Sequence, residues 1–303
     1  MVDISKITTE KRNQNTKNID LLQTKDMLKL INNEDKKVAV SVEKAIDQIA
    51  VVVDEVTKVF ENGGRLVYMG AGTSGRIGAL DASECPPTFG VSEDMVIGLI
   101  AGGDYALRHA VENIEDSIED AMKDLESINF SKDDILIGIA ASGRTPYVVA
   151  GLEKANELGA RTACITTSEN SLVAEVAKFP IEAITGPEAL TGSTRMKSGT
   201  AQKMIANMIT TTAMIKLGKV YENLMVDVQM TNQKLVSRAR KIIMDITDVD
   251  LETANKYLNK YSTVKNAIFA IMSNIEDEET ITKILDENKG NIRKSLKTQA
   301  GAK

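Results

Sequence analysis

Arg65-Leu-Val-Tyr-Met-Gly-Ala-Gly-Thr-Ser-Gly-Arg-Ile-Gly78 joins a short apolar run to a turn of glycines and hydroxyls. A run of this kind that ends in glycine reads as a strand buried on both faces. Glycines let the backbone come close to a bound anion, and Thr73, Ser74 and the first amides of a following helix can donate to phosphate oxygens. Gly70, Gly72 and Gly75 also fit the dinucleotide fingerprint G-x-G-x-x-G. That alternative lacks its acidic residue at the end of the second strand, where Ile100 is followed by Ala101-Gly102-Gly103.

Comparable runs recur at 96–100, 135–140, 162–166 and, more weakly, 181–184. Helical patterns separate them at 105–122, 147–158 and 171–178, and another helix, 38–60, precedes the first strand. The alternation predicts an α/β fold, a doubly wound sheet of about five parallel strands, with the ligand-binding loops along its carboxyl edge. Residues 1 to about 35 are polar, and Thr8-Thr9-Glu10 reads as a cap or local turn. After the sheet comes a long helix at 197–217, and then a strand-free region with helices at 233–246, 251–258, 261–272 and 278–285. The division expected is an N-terminal helical segment (1–52), a sheet domain (53–230) and a small helical domain (231–303).

Two more strand-end segments carry hydroxyls and charge. Ala141-Ser-Gly-Arg-Thr-Pro146 offers Ser142, Arg144 and Thr145 at the start of a helix, with Pro146 suited to its first turn. The segment 186–200 offers Glu188, Ser193, Thr194, Arg195 and Lys197. Any one such loop is explained by helix capping. Three on one sheet point to a small, polyhydroxylated, phosphorylated ligand.

Composition narrows the partners. The chain of 303 residues has 37 Lys plus Arg against 43 Asp plus Glu, a formal net charge of −6, so non-specific nucleic-acid binding is not expected. No run of about 18 apolar residues exists, so no membrane span is expected, and Met1-Val-Asp-Ile-Ser-Lys6 lacks the pattern of a signal peptide. Two cysteines, Cys85 and Cys164, cannot build a disulfide framework, and a cytoplasmic location is expected. The single histidine, His109, would have to carry any His-based metal site or triad alone, and no catalytic role is assigned to it.

Hydroxyl loops on a five-stranded parallel sheet resemble the sugar isomerase (SIS) domain of phosphosugar enzymes and regulators. The stretch from Met69 to Gly90 goes further, with Ala110-Val-Glu-Asn-Ile-Glu-Asp116, Ala140-Ala-Ser-Gly-Arg-Thr-Pro-Tyr147, Gly192-Ser-Thr-Arg-Met-Lys-Ser-Gly-Thr-Ala-Gln-Lys203 and Gly218-Lys-Val-Tyr-Glu-Asn-Leu-Met-Val-Asp-Val228. Together with Thr9-Glu10-Lys11-Arg12-Asn13, these resemble the N-acetylmuramic acid 6-phosphate etherase family over nearly the whole chain. Gln14 stands where that family usually has proline, and Ser168-Glu169-Asn170 replaces a family-typical Asn-Pro.

The resemblance implies cleavage of the lactyl ether of N-acetylmuramate 6-phosphate to N-acetylglucosamine 6-phosphate and D-lactate, without a metal or redox cofactor. Ring opening exposes an aldehyde that acidifies the hydrogen on C2; lactate then leaves C3 and water adds back. Such a route needs acid and base groups in unlike environments. By resemblance Glu84 is the proton donor to lactate and Glu115 the second acid/base residue. Apolar sequence neighbours would raise the pKa of Glu84 by desolvation. Glu115 shares its expected helix with Glu112, Asp116, Glu119 and Asp120, and by pattern alone these form a solvated acidic face. Thr73, Ser74, Ser142, Arg144 and Thr145 match the hydroxyl loops as phosphate and sugar contacts; Glu188, Ser193, Thr194 and Lys197 are second-rank candidates, with helix capping as their other reading. A homodimer is expected by analogy. The competing readings are a phosphosugar isomerase, which needs no acid to expel a lactyl group, and a non-catalytic sugar-phosphate sensor. A DNA-binding repressor is disfavoured, because no basic helix-turn-helix segment precedes the sheet.

Overall fold

A computed structural model describes residues 8–111, 113–230 and 232–301. The hexapeptide read for a leader lies outside these residues, as do Glu112 and Thr231.

Strands β1 (Leu66–Gly70), β2 (Val96–Ile100), β3 (Ile135–Ile139), β4 (Arg161–Thr166) and β5 (Phe179–Glu182) form one sheet in the order β2-β1-β3-β4-β5. Every pairing is parallel, as the alternation of runs predicted. All residues of β1 and β3 are buried, which is why their sequences are continuously apolar rather than alternating. On one face, Val67, Met69, Leu136 and Cys164 pack with Tyr147, Val148 and Leu152 of α6 (Pro146–Glu157) and with Ala121 and Leu125 of α5 (Ile118–Ser127). Burial pushes the Cys164 thiol up to about 12, leaving it a packing group. α2 (Ile46–Glu61) packs against β1, β3 and β5 through a stripe that includes Val52, Val53 and Val56.

By contacts the chain divides into two compact units: residues to Ser83 with Glu93–Thr210, and Glu84–Ser92 with Thr211 onward. Two long helices, α3 (Gly72–Phe89) and α8 (Lys197–Lys216), each contribute residues to both units. The second unit contains a two-stranded antiparallel ribbon, β6 (Val220–Tyr221) with β7 (Leu224–Met225), and helices α9 (Gln233–Thr247), α10 (Leu251–Tyr261), α11 (Val264–Ser273), α12 (Glu278–Glu287) and α13 (Ile292–Gly301). Its core is built around Ile243, Leu258, Tyr261, Ile268, Phe269 and Ile281. Asp250, Thr263 and Asp277 accept first-turn amides, so α10, α11 and α12 each begin on a capping side chain.

Two sequence expectations need correction. The 38–60 helix is two helices: α1 (Thr24–Glu43) starts earlier, and the chain breaks at Lys44-Ala45 before α2. The 105–122 helix is interrupted. α4 (Gly103–Arg108) ends early, Asn113 takes a left-handed conformation (φ 63°), a 3-10 turn covers Ile114–Asp116, and Ser117 caps α5. Glu115 is therefore on a turn, not on a helix shared with Glu119 and Asp120. Pro86 and Pro87 lie inside α3.

Candidate active site

The chain leaves β1 toward β2 on one side of the sheet and returns to β3 on the other. Between β1 and β3 the strand order therefore reverses, and the carboxyl ends of these two strands open a crevice of the kind that takes ligands in α/β sheets. The first two hydroxyl loops leave those two strand ends. At the first, a Cβ on Gly75 would come within 2.6 Å of the Gly70 carbonyl oxygen, so the turn into α3 closes only with glycine there. Thr73 is half-buried and Ser74 is buried. At the second, Gly143 takes φ +68°, and a Cβ on it would overlap Ser171 Cβ at 2.2 Å. Ser142, Arg144 and Thr145 are half-buried around it, and Arg144 Nη2 donates to the Asn170 carbonyl at 3.3 Å.

The third loop closes onto both. Ser74 Oγ donates to Gln202 Oε1 on α8 at 2.9 Å, and the Thr73 methyl would lie 3.2 Å from a Cβ on Gly199. Thr167, just beyond β4, donates from Oγ1 to the Ala141 carbonyl at 3.1 Å and lies 3.0 Å from Ser198 Oγ. Ser193 and Thr194 are half-buried, while Glu188 and Lys197 have internal partners. Glu188 is fully buried and accepts from the amides of Lys197 and Ser198, both at 2.9 Å, and from Ser198 Oγ at 2.7 Å. A carboxylate on the first amides of a twenty-residue helix satisfies orphan donors at the positive end of its dipole. The buried Lys197 ammonium donates to Glu34 Oε2 on α1 at 2.9 Å.

Glu34 joins this loop to the N-terminal segment. It also accepts from Asn13 Nδ2, Asn15 Nδ2 and Lys37 Nζ, and Asn13 Nδ2 reaches the Pro187 carbonyl at 3.1 Å. Burial alone would raise the Glu34 carboxyl, but hydrogen bonds from Lys37, Lys197, Asn15 and Asn13 outweigh it and hold the group at about 2. Thr8–Glu10 forms the expected local turn, and the Gly192 amide donates to the Thr9 carbonyl.

Glu115 is exposed on its 3-10 turn, which packs against α6 and follows the end of β2, the strand beside β1. Arg76, one turn into α3, holds the preceding segment: it donates to the carbonyls of Ala106 (2.7 Å), Leu107 (3.0 Å) and His109 (3.1 Å) at the end of α4. His109 is exposed and stacks on Tyr105, with ring centroids 4.3 Å apart.

Glu84 is also exposed. Ala82 and Cys85 are buried, but Ser83 and Glu84 turn outward, so the apolar surroundings expected from sequence neighbours are absent in the single chain. Asp81, three residues earlier, takes the buried position and accepts from Tyr68 Oη at 3.0 Å, Asn207 Nδ2 and Thr210 Oγ1.

Sequence reasoning missed Gln202, Thr167 and Ser168. Gln202 is fully buried, and among the described residues its Nε2 has no partner, as is also true of Ser168 Oγ. A polar residue among Ala201, Ile205 and Ile209 on the buried side of α8 was the available signal.

Comparison with known proteins agrees with this architecture. Residues 48–156 match the glucokinase regulatory protein N-terminal SIS domain, and residues 108–212 match the SIS domain. A phosphoheptose isomerase from Neisseria gonorrhoeae shares the fold at 14% identity and a TM-score of 0.50, covering 63% of this chain and 98% of its own. An N-acetylmuramic acid 6-phosphate etherase from Clostridium botulinum is 55% identical over 297 residues, 98% of each chain. Another from Actinobacillus pleuropneumoniae is 52% identical over 294 residues, 97% of this chain and 96% of the relative. On identity sustained from end to end, this chain belongs to the N-acetylmuramic acid 6-phosphate etherase family.

Proposed function

We propose that the chain cleaves the lactyl ether of N-acetylmuramate 6-phosphate, releasing D-lactate and N-acetylglucosamine 6-phosphate. The observation that carries this reading is the convergence of hydroxyl loops at the strand-order reversal, with an exposed glutamate on the turn that follows β2 and α4. Thr73, Ser74, Ser142, Arg144 and Thr145 hold the phosphate and sugar, with Ser193 and Thr194 from the third loop. Glu188 and Lys197 support them, because their polar atoms already serve the α8 terminus and Glu34. With the sugar open, Glu115 takes the proton from C2, the C3–O bond breaks, and Glu84 gives a proton to the departing lactate oxygen. Water then adds its oxygen to C3 and a proton returns to C2, so the sum is hydrolysis without a redox change.

The reading includes a homodimer acting in the cytoplasm. Leu80, 51% exposed, precedes Glu84 by one helical turn and lies on the same side of α3. A second copy covering Leu80 would also cover the outward face that carries Glu84. Cys85 and Cys164 are both buried thiols, in keeping with a reducing compartment. Among the described residues no helix is long and apolar enough to cross a membrane.

Incubation with N-acetylmuramate 6-phosphate tests the reaction: equal amounts of D-lactate and N-acetylglucosamine 6-phosphate are expected. Aldose–ketose conversion of a sugar phosphate without lactate would favour the isomerase reading instead. Arg76→Ala releases the end of α4 and so misplaces Glu115; kcat is expected to fall about 10- to 100-fold with KM little changed. An unchanged kcat would remove Arg76 from the positioning of Glu115.

A further inference from the structure

Gln202 and Ser74 meet where the first turns of α8 and α3 come together, and the direction of their hydrogen bond bears on anion binding. Ser74 Oγ gives its one hydrogen to Gln202 Oε1 at 2.9 Å. The pair is closed off from solvent: Ser74 is 8% exposed and Gln202 0%. Gly199, three residues before Gln202 on α8, permits the approach, since a Cβ there would lie 3.2 Å from Thr73 Cγ2 and 3.6 Å from Ile77 Cδ1. Buried in this way, Gln202 reaches a ligand only through Ser74.

A phosphate oxygen accepts hydrogen bonds and needs a donor. With its hydrogen on Gln202, Ser74 presents only lone pairs to the crevice, and lone pairs repel an anion. Both N–H groups of Gln202 Nε2 meanwhile lack an acceptor among the described residues, a costly state for a buried donor. Ser198, one turn earlier on the same side of α8, shows the contrast: it donates to Glu188 Oε1 and accepts from Thr167 Oγ1. The two ends of a glutamine amide are nearly equal in size, so turning it over keeps the packing and brings Nε2 to Ser74. Nε2 then donates to Ser74 Oγ, one orphan N–H gains a partner, and the hydroxyl hydrogen is released toward the crevice. We infer that Gln202 is a positioning residue whose side-chain amide turns over when the substrate phosphate binds, making Ser74 a donor to it. The inference rests on the proposed role of Ser74 as a phosphate contact. A hydroxyl that accepts from an amide is also a stronger donor than an isolated one.

Amide-resolved NMR of the full chain with N-acetylglucosamine 6-phosphate tests the turn. One side-chain N–H of Gln202, assigned by its loss in Gln202→Met, should move downfield on saturation together with the backbone amides of residues 72–75. Gln202→Glu tests the consequence, because an ionised carboxylate only accepts and keeps the Ser74 hydrogen. By calorimetry the ester should bind this variant about 100-fold more weakly than the parent near pH 8. Affinity should recover as pH falls and the buried carboxyl gains a proton to donate to Ser74, with the parent over the same range correcting for titration of the ester. Plain charge repulsion survives the removal of Ser74, so in a Ser74→Ala background the same substitution should cost only about tenfold. The inference is overturned by a saturated complex in which the Gln202 signals do not move, or by an equal cost of Gln202→Glu with and without Ser74. Absence of ester binding to the parent would remove the phosphate role of Ser74 and the inference with it. Ester binding without lactate release from N-acetylmuramate 6-phosphate would instead contradict the etherase reading alone.

Discussion

Glu115→Gln is expected to lower lactate release about 10²- to 10⁴-fold while N-acetylmuramate 6-phosphate still binds. The amide keeps the shape of the side chain and removes its capacity to accept a proton from C2. Glu115 is exposed, so the substitution leaves the core untouched. Glu84→Gln should cause a loss of similar size for a different reason: C2 can still be deprotonated, but lactate must leave without a proton. In deuterated water the two variants then separate. Hydrogen at C2 of the substrate should exchange in the Glu84 variant and not in the Glu115 variant. Unchanged lactate release in either protein removes that residue from the mechanism, and exchange in both removes the base role of Glu115.

The second large effect is on stability. Glu34→Ala leaves the buried Lys197 ammonium without its carboxylate and frees Asn13, Asn15 and Lys37 from a common acceptor. Removing one partner of a buried ion pair costs about 3–5 kcal/mol. The same group sets an acid limit. Its carboxyl is held at about 2 when folded and takes the ordinary 4.5 when unfolded, so its contribution is complete above 4.5 and is lost as pH falls toward 2. Urea unfolding of the parent chain should show that loss, and Glu34→Gln should flatten it. An unchanged unfolding midpoint in Glu34→Ala would show that the network does not stabilise the fold.

The sheet was legible because its central strands are buried on both faces, which leaves a continuous apolar run between glycine-bearing turns. The first helix was not, because α1 buries only Glu34, Val38 and Val42 over twenty residues. So narrow a stripe does not stand out from polar sequence, and one of its three members is a glutamate. The break after Arg108 was missed for a related reason. Residues 109–117 contain no glycine or proline, and the turn depends on left-handed Asn113 and on the Arg76 guanidinium reaching across from α3.

The site divides the same way. Hydroxyl loops could be read because glycine is required at 75 by close backbone approach and at 143 by a left-handed backbone packed on Ser171, and such positions leave a pattern. The roles of Glu188 and Lys197 could not, since a carboxylate capping a helix and one facing a sugar look alike in sequence. Gln202 and Thr167 gain their meaning only once α8 lies beside the first two loops. The outward turn of Glu84 follows from the helical phase of α3, where Asp81, Ala82 and Cys85 take the buried positions.

Turnover in water enriched in heavy oxygen addresses the chemistry most directly. If lactate is eliminated from C3 and water adds back, the label appears at C3 of N-acetylglucosamine 6-phosphate and the lactate carries none in its hydroxyl. Label in the lactate hydroxyl would mean that water attacked the lactyl carbon, and the two-glutamate elimination would be wrong.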